Sequence, residues 1–193
     1  MGHRDNLLIA ARHCLLNRGY AATTVRDLVA ESGANQASIN YHFGSKDQLL
    51  NRALFDLNRE WGVVLFDVLG VDSARASTPN AGTPRIPAVD LWQRVIDSIR
   101  ANEQLWFVNF ESITYVQHDA EIRQMNADGQ SSSRDALAHA FAGLGPHSDA
   151  RMRRVIGSHY YSLLTGLAIQ LLTDPDNAPT AQEIVEAASF PSP

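Results

Sequence analysis

Residues 36–42 carry side chains that can hydrogen-bond to the edges of nucleic-acid bases. Gln36 and Asn40 each offer an amide donor beside an acceptor, the pair that matches N6 and N7 of adenine. Ala37 is small enough to let its backbone approach a thymine methyl group. The segment has no acidic residue that would repel a phosphate. Further donors to phosphates or bases are Ser38, Tyr41 and His42.

Two residues outside this segment stand where they could hold a phosphate. Lys46 lies at the start of the predicted fourth helix, where free backbone N–H groups and the helix dipole favour an anion. Thr24 is placed similarly at the start of the second helix. Such contacts position a protein without reading sequence. The residues expected to read bases are Gln36, Ala37 and Asn40, with Tyr41 as a further candidate.

The spacing of the potentially catalytic residues gives little support for an enzyme. The histidines form no H-E-x-x-H pair, and the chain has no C-x-x-C, no glycine-rich phosphate loop and no G-x-S-x-G elbow. Cys14 follows His13, but adjacent residues of a helix point apart. The apolar pattern around Cys14 favours a buried thiol. We therefore expect no catalytic residue, no metal site and no cofactor.

The charge distribution limits where a polyanion could bind. The formal net charge is −5, yet residues 1–60 hold seven Lys/Arg against six acids, and the remainder holds nine against fifteen. A polyanion-binding surface must therefore lie in the first third. No run approaches the roughly 18 uncharged apolar residues of a membrane span, and the start "MGHRDN" lacks an apolar signal region. We expect a cytoplasmic protein with no membrane partner.

Helical spacing of apolar residues along nearly the whole chain predicts an all-α fold, since nothing alternates with period two over the length of a strand. Helix 1 covers about 5–18, with Leu8, Ala11 and Leu15 on one face. In helix 2 Thr24 and Asp27 form a capping box, and Gly33 supplies the left-handed end.

Helix 3 is short and has an unusual outward face. Asn35 caps it and Gly44 ends it, while Ser45 and Gln48 form a second capping box that begins helix 4. At 100° per residue, Ile39 and Phe43 form one narrow apolar edge opposite a broad polar face. A capped helix, a glycine turn and such a helix fit a helix-turn-helix, whose second helix enters the DNA major groove. On this pattern alone, a short surface helix in a helical protein is an alternative.

The rest of the chain is expected to hold a mobile loop and further helices. Helix 4 runs to about residue 69, and "GVDSARASTPNAGTPRIP" (70–87) is the loop. Gly129 and the "SSS" that follows it at 131–133 could kink the seventh helix. The later helices cover about 88–102, 103–118, 119–142, 149–173 and 180–189.

The stretch "AARHCLLNRGYAATTVRDLVAESGANQASINYHFGSKDQLL" (10–50) resembles the DNA-binding domain of the tetracycline-repressor (TetR) family of bacterial transcription regulators. "TTV" at 23–25, Gly33, "YHF" at 41–43 and the Ser45-Lys46 pair fall in register. The resemblance implies a helix-turn-helix domain at 1–47 and a helical effector-binding and dimerisation domain at 48–193. It also implies about nine helices, of which helices 4–7 tend to enclose a ligand pocket.

The resemblance carries the family's DNA contacts to particular residues of this chain. Asn40 departs from the pattern, since an aromatic residue is common at that place, and this difference suggests a different operator. The implied contacts are Thr24, Gln36, Ala37, Ser38, Asn40, Tyr41, His42 and Lys46.

Aromatic residues are dense in the middle of the chain and could line an apolar effector pocket, although ordinary core packing would give the same density. The candidate pocket residues are Trp61, Phe66, Trp92, Trp106, Phe107, Phe110, Tyr115 and His118. The last long helix is apolar over much of its length and carries small residues, which suits a subunit interface; an intrachain core helix is the alternative. The candidate interface residues are Tyr160, Leu163, Leu164, Leu167 and Leu171.

The sequence thus predicts a homodimeric, ligand-responsive regulator that binds a near-palindromic double-stranded operator. We expect a repressor that a small apolar or aromatic effector releases. The alternative is a helix-turn-helix protein that acts as a protein-interaction module, or as an activator without an effector.

Overall fold

The computed structural model describes residues 2–71, 86–115, 117 and 119–189. Most of the predicted loop, residues 72–85, and His118 lie outside these ranges. Within them the chain forms nine α-helices and one 3-10 turn (Ile113–Tyr115) and has no strand, as the all-α prediction requires. The helices are α1 His3–Arg18, α2 Val25–Ser32, α3 Gln36–Phe43, α4 Lys46–Val68, α5 Ala88–Ala101, α6 Glu103–Ser112, α7 Ala120–Ala142, α8 Ala150–Thr173 and α9 Ala181–Ala187.

The chain divides into two compact units, and α4 and α7 each contribute residues to both. The first unit comprises Met1–Trp61 and Gln104–Gly129. The second comprises Gly62–Glu103 and Gln130–Pro193. Each unit is therefore assembled from two separate stretches of sequence.

In the first unit α1 packs against α2 and α3. Leu28 of α2 and Ile39 of α3 are buried in this core. The buried thiol of Cys14 confirms its predicted role, and burial raises its pKa. Leu8, predicted for the inward face, is only half-buried, because the buried face of α1 is turned slightly. The buried residues of α1 are Leu7, Ala10, Ala11, Cys14 and Leu15.

The caps predicted for the second and third helices are present. The Thr24 hydroxyl accepts from the Asp27 N–H, the Asp27 carboxylate accepts from the Thr24 N–H, and Gly33 ends α2 at φ +66°. The Asn35 side chain accepts from the N–H of Ser38 at 2.9 Å. These local contacts fix where α2 ends and α3 begins.

Two later elements differ from the prediction. The sixth helix ends at Ser112 and continues as a 3-10 turn, whereas it was expected to reach 118. The Ser112 hydroxyl donates to the Asn109 carbonyl oxygen and the Thr114 hydroxyl to that of Glu111, so side chains compete for these carbonyl groups. The seventh helix runs through Gly129 without a break.

In the second unit α5 packs against α8 and α9. Gly157 of α8 is buried where that helix passes the backbone of Arg134 in α7. A Cβ atom at this position would overlap the carbonyl oxygen of Arg134. The close approach therefore requires glycine.

We expect Gly157→Ala to lower the free energy of unfolding by about 1–3 kcal/mol, because backbone atoms must move to admit the methyl group. Chemical denaturation of the purified protein measures the change. The matched control is Gly62→Ala in α4, where a Cβ would meet no described atom within 4 Å. This control should be neutral or stabilising, since alanine favours helix more than glycine. Equal stabilities for the two variants would contradict the packing argument.

Candidate nucleic-acid interface

The outward face of α3 is exposed and polar. Ile39, only 1% exposed, anchors the helix, whereas Tyr41 on the opposite side is 85% exposed. Gln36, Ala37 and Asn40 are exposed as well. The base-reading residues predicted from the sequence therefore lie together on one accessible helix.

The remaining predicted contacts are partly engaged within the chain. Ser38 donates its hydroxyl hydrogen to Asn35 Oδ1 at 3.1 Å. The Lys46 Nζ donates to the Thr23 carbonyl oxygen at 3.2 Å and lies 3.5 Å from Asp47. His42 is half-buried, with its ring 4.9 Å from that of Tyr41. These side chains are held in place around α3.

The Thr24 side chain serves the helix cap. Its hydroxyl donates to Asp27 Oδ2 at 2.6 Å. Hydrogen bonds from the Thr24 side chain and backbone, assisted by Arg18 at 3.1 Å, lower the pKa of Asp27. An ionised Asp27 at the start of α2 maintains the capping box, so the Thr24 hydroxyl is already engaged within the chain.

The turn between α1 and α2 is held by α6. Gly19 has φ +79°, and the N–H of Tyr20 donates to both carboxylate oxygens of Glu111 at 2.9 and 3.0 Å. The N–H of Ala21 donates to the same carboxylate at 3.3 Å. The Tyr20 ring also lies 4.4 Å from that of Tyr115. We call Tyr20, Ala21 and Glu111 the turn clamp.

A further series of hydrogen bonds extends from Tyr20 of the turn clamp. The Tyr20 hydroxyl donates to Asn51 Oδ1 at 2.8 Å, and Asn51 Nδ2 donates to Asp119 Oδ2 at 2.7 Å. Burial of the phenol raises the pKa of Tyr20, so it remains a donor. Asp119 Oδ1 accepts from the N–H groups of Glu121 and Ile122 at the start of α7. Sequence reasoning missed these residues, because polar pairs 68 and 91 positions apart leave no local signal.

The Asp119 carboxylate makes a testable contribution to stability. The hydrogen bond from the Ile122 N–H, with those from Asn51 and Glu121, lowers the pKa of Asp119 below its ordinary value. Its stabilisation is therefore complete above the unfolded-state pKa near 4 and is lost as pH falls through the lower folded-state value. Asp119→Asn should cost roughly 0.5–1 kcal/mol at pH 7, a small figure because solvent screens the group.

This cost should begin to shrink near pH 4, where the carboxylate of the unfolded chain takes up a proton, and should shrink further as pH falls through the lower folded-state pKa. Denaturation curves of both proteins between pH 7 and 2.5 measure the difference. A difference that stays constant over this range would contradict the assignment.

The predicted pocket residues fall into separate groups. In the first unit Trp106 lies 5.2 Å from Trp61 and 5.6 Å from Phe110, while Phe107 is 53% exposed. Tyr115 instead packs against Tyr20, and His118 lies outside the described residues. In the second unit Trp92 lies against Phe141 and Tyr160, with centroids 4.7 and 6.5 Å away.

A pocket of about 280 Å³ lies within the second unit. Phe66 is the one predicted pocket residue that lines it. The other lining residues come from the α7 stretch 132–139, the connection 144–146, the start of α8 and Val71. The aromatic count did not indicate this place, because most of its wall is aliphatic or polar.

The predicted interface residues lie on two different faces of α8. Leu164, Leu167 and Leu171 are buried within the single chain, and Tyr160 stacks on Phe141 at 4.4 Å. Burial by the chain itself removes the three leucines from the surface that a partner could touch, whereas Tyr160 is half-buried and Leu163 is 39% exposed. The large apolar residues exposed on α8 are Met152, Val155, Leu163 and Ile169.

By length and mean hydropathy α8 could also cross a membrane, and 28% of an apolar 18-residue stretch within it is buried inside the chain. The expectation that no stretch approaches a membrane span overlooked this helix, because polar residues interrupt its apolar ones. Core helices of soluble proteins have the same composition.

Among the described residues, no group of three His, Cys, Asp or Glu side chains could hold a metal ion.

Comparison with known proteins agrees with this geometry. Residues 7–53 match the family described as bacterial regulatory proteins, tetR family. The HTH-type transcriptional repressor KstR2 of Mycolicibacterium smegmatis is 42% identical over 53 residues, which cover 28% of this chain and 26% of that protein. KstR2 of Rhodococcus jostii is 31% identical over 119 residues, covering 56% and 57%. The chain thus spans only about a quarter of the first relative and just over half of the second.

The fold extends the likeness beyond this region. The crystal structure of the multidrug binding protein EbrR complexed with ethidium matches with a TM-score of 0.67 at 18% identity, covering 99% of this chain and 100% of that one. The exposed α3 and the helical remainder define a protein with a helix-turn-helix DNA-binding domain. The match of residues 7–53 to the tetR family of bacterial regulatory proteins confirms the resemblance found in the sequence for that region.

Proposed function

We propose that this protein is a sequence-specific, ligand-responsive transcriptional repressor. The observation that carries the proposal is α3, which buries Ile39 and presents the exposed, acid-free side chains of Gln36, Ala37, Asn40 and Tyr41. A short helix of this kind, after a capped helix and a glycine turn, fits the major groove. The repressor names of both KstR2 relatives support the direction of regulation.

The operator would be read by a homodimer in the cytoplasm. The exposed apolar residues Met152, Val155 and Leu163 follow one face of α8, with His159 and Gly166 between and after them. Exposed apolar side chains that cluster on one face of a soluble protein often mark a subunit interface, so a second copy is the expected cover of this face. A symmetric dimer would place one α3 in each half-site of a near-palindrome.

A small effector would control this binding. The EbrR structure shows a matching fold with ethidium bound, which supports an apolar or aromatic effector for this chain. The effector need not touch DNA, because reciprocal coupling lets each ligand weaken the binding of the other.

Val155→Glu tests the dimer. Val155 is 45% exposed in the single chain, so glutamate should leave the fold intact but place a charge in the proposed interface. We expect a monomer by sedimentation at micromolar concentration, and at least tenfold weaker binding to a two-half-site operator. Val63→Glu on α4, where Val63 is 65% exposed, is the matched control and should remain dimeric. A Val155→Glu dimer would place the interface elsewhere.

A further inference from the structure

The pocket in the second unit has walls that define a ligand class. Its volume of about 280 Å³ is roughly twice that of a cavity that holds benzene, so a mono- or bicyclic molecule would fill it. Phe66, Val71, Ala136, Leu144 and Pro146 supply apolar wall. The bulk of a ligand would therefore be an apolar ring system.

The two charged residues of the wall already satisfy each other. The Arg153 Nε donates to Asp135 Oδ1 at 2.9 Å. Its Nη1 also donates to the carbonyl oxygens of Gly145 and Pro146 at 3.2 and 3.1 Å. Because the carboxylate and the guanidinium neutralise each other, neither favours an ionic ligand. A neutral molecule suits this wall better than an anion or a cation.

His139 is the polar group in the wall whose hydrogen bonding is incomplete. Its Nδ1 is buried and has no hydrogen-bond partner among the described residues, while the same side chain lines the pocket. A buried polar atom without a partner costs free energy, and native structures rarely leave one unexplained. Rotation of the imidazole about its Cβ–Cγ bond would carry Nδ1 toward the position now held by Cδ2.

We propose that this pocket binds a compact, neutral, cyclic molecule carrying one hydroxyl group, such as a phenol or an alicyclic alcohol. A hydroxyl both donates and accepts, so it can pair with His139 whichever ring nitrogen carries the proton. The ring system fills the apolar wall formed by Phe66, Ala136 and Leu144. Control of DNA binding by this ligand rests on the proposed function, whereas occupation of the pocket does not.

Binding of 1-naphthol to the full-length, DNA-free protein tests the proposal, with 1-methylnaphthalene as a probe of similar shape that lacks the hydroxyl. Titration followed by probe fluorescence gives both affinities. We expect 1-naphthol to bind about tenfold more tightly. His139→Leu should reduce this ratio to about one, while His147→Leu, an exposed residue outside the pocket lining, should preserve it.

Filling the pocket supplies a second test. Ala136→Phe should abolish binding of both probes, and Leu144→Trp, at a half-buried position, serves if the first variant fails to fold. Equal affinity of the wild type for both probes, an unchanged ratio in His139→Leu, or unchanged binding in a folded filled variant would overturn the site. Operator binding is measured separately, so loss of the ligand result with intact DNA binding removes only this site. Loss of operator binding with intact ligand binding would remove only the proposed regulator.

Discussion

Replacing Glu111 with alanine is expected to lower the free energy of unfolding by about 2–3 kcal/mol, because hydrogen bonds to a charged acceptor are strong and the donors remain partly buried. Tyr20 and Ala21 would lose the acceptor for their N–H groups. This turn joins α1 to α2, the first helix of the helix-turn-helix. The affinity of the protein for all DNA duplexes should therefore fall as well. Denaturation and duplex titration measure the two effects.

Glu111→Gln should lie between the wild type and alanine, because its amide oxygen still accepts but carries no charge. Glu121→Ala is the matched control, since Glu121 is exposed at the start of α7 and belongs to the same unit. The turn clamp would lose its assigned role if Glu111→Ala and Glu121→Ala were equally stable and bound duplex equally well.

Asn40→Ala and Lys46→Ala are expected to weaken DNA binding in different ways. Loss of the Asn40 amide should cost about 1–3 kcal/mol on the preferred operator and relax the preference at one base pair. Loss of Lys46 should weaken binding to every sequence and reduce the salt dependence by about one counterion. Titrations of the operator and of an unrelated duplex at several salt concentrations separate the two patterns.

Arg59→Ala controls for the loss of a positive charge, because Arg59 is exposed on α4 and is not a predicted contact. Lys46 also donates to the Thr23 carbonyl oxygen, so the stability of that variant is measured first. If Asn40→Ala weakened all sequences equally, Asn40 would be a backbone contact and not a base reader.

The parts of the fold that the sequence predicted well depend on neighbouring residues. The Thr24–Asp27 box and the Asn35 cap join positions three residues apart, and the left-handed Gly33 donates its N–H to the Val29 carbonyl oxygen four residues earlier. Such contacts can be recognised in a sequence because helix geometry fixes which residues meet. The length and outward face of α3 follow from the same local rules.

Contacts between distant residues could not be predicted in this way. Glu111 occurs in a mixed helical pattern that gives no sign of the turn 91 residues earlier. The apolar content of α8 indicated burial, but it could not show that Leu164 and Leu167 pack inside the chain while Met152 and Val155 remain exposed. Aromatic density likewise indicated either core or pocket, and tertiary packing separated Trp106 from the pocket that Phe66 lines.

The most direct test of the central claim is selection of bound duplexes from a random DNA pool by the purified protein at physiological salt, followed by sequencing. A dimer that reads DNA through α3 predicts enrichment of one near-palindrome whose half-sites contain adenines, and Asn40→Ala should alter the preference at one position in each half-site. A folded dimer that enriches no sequence would contradict the account.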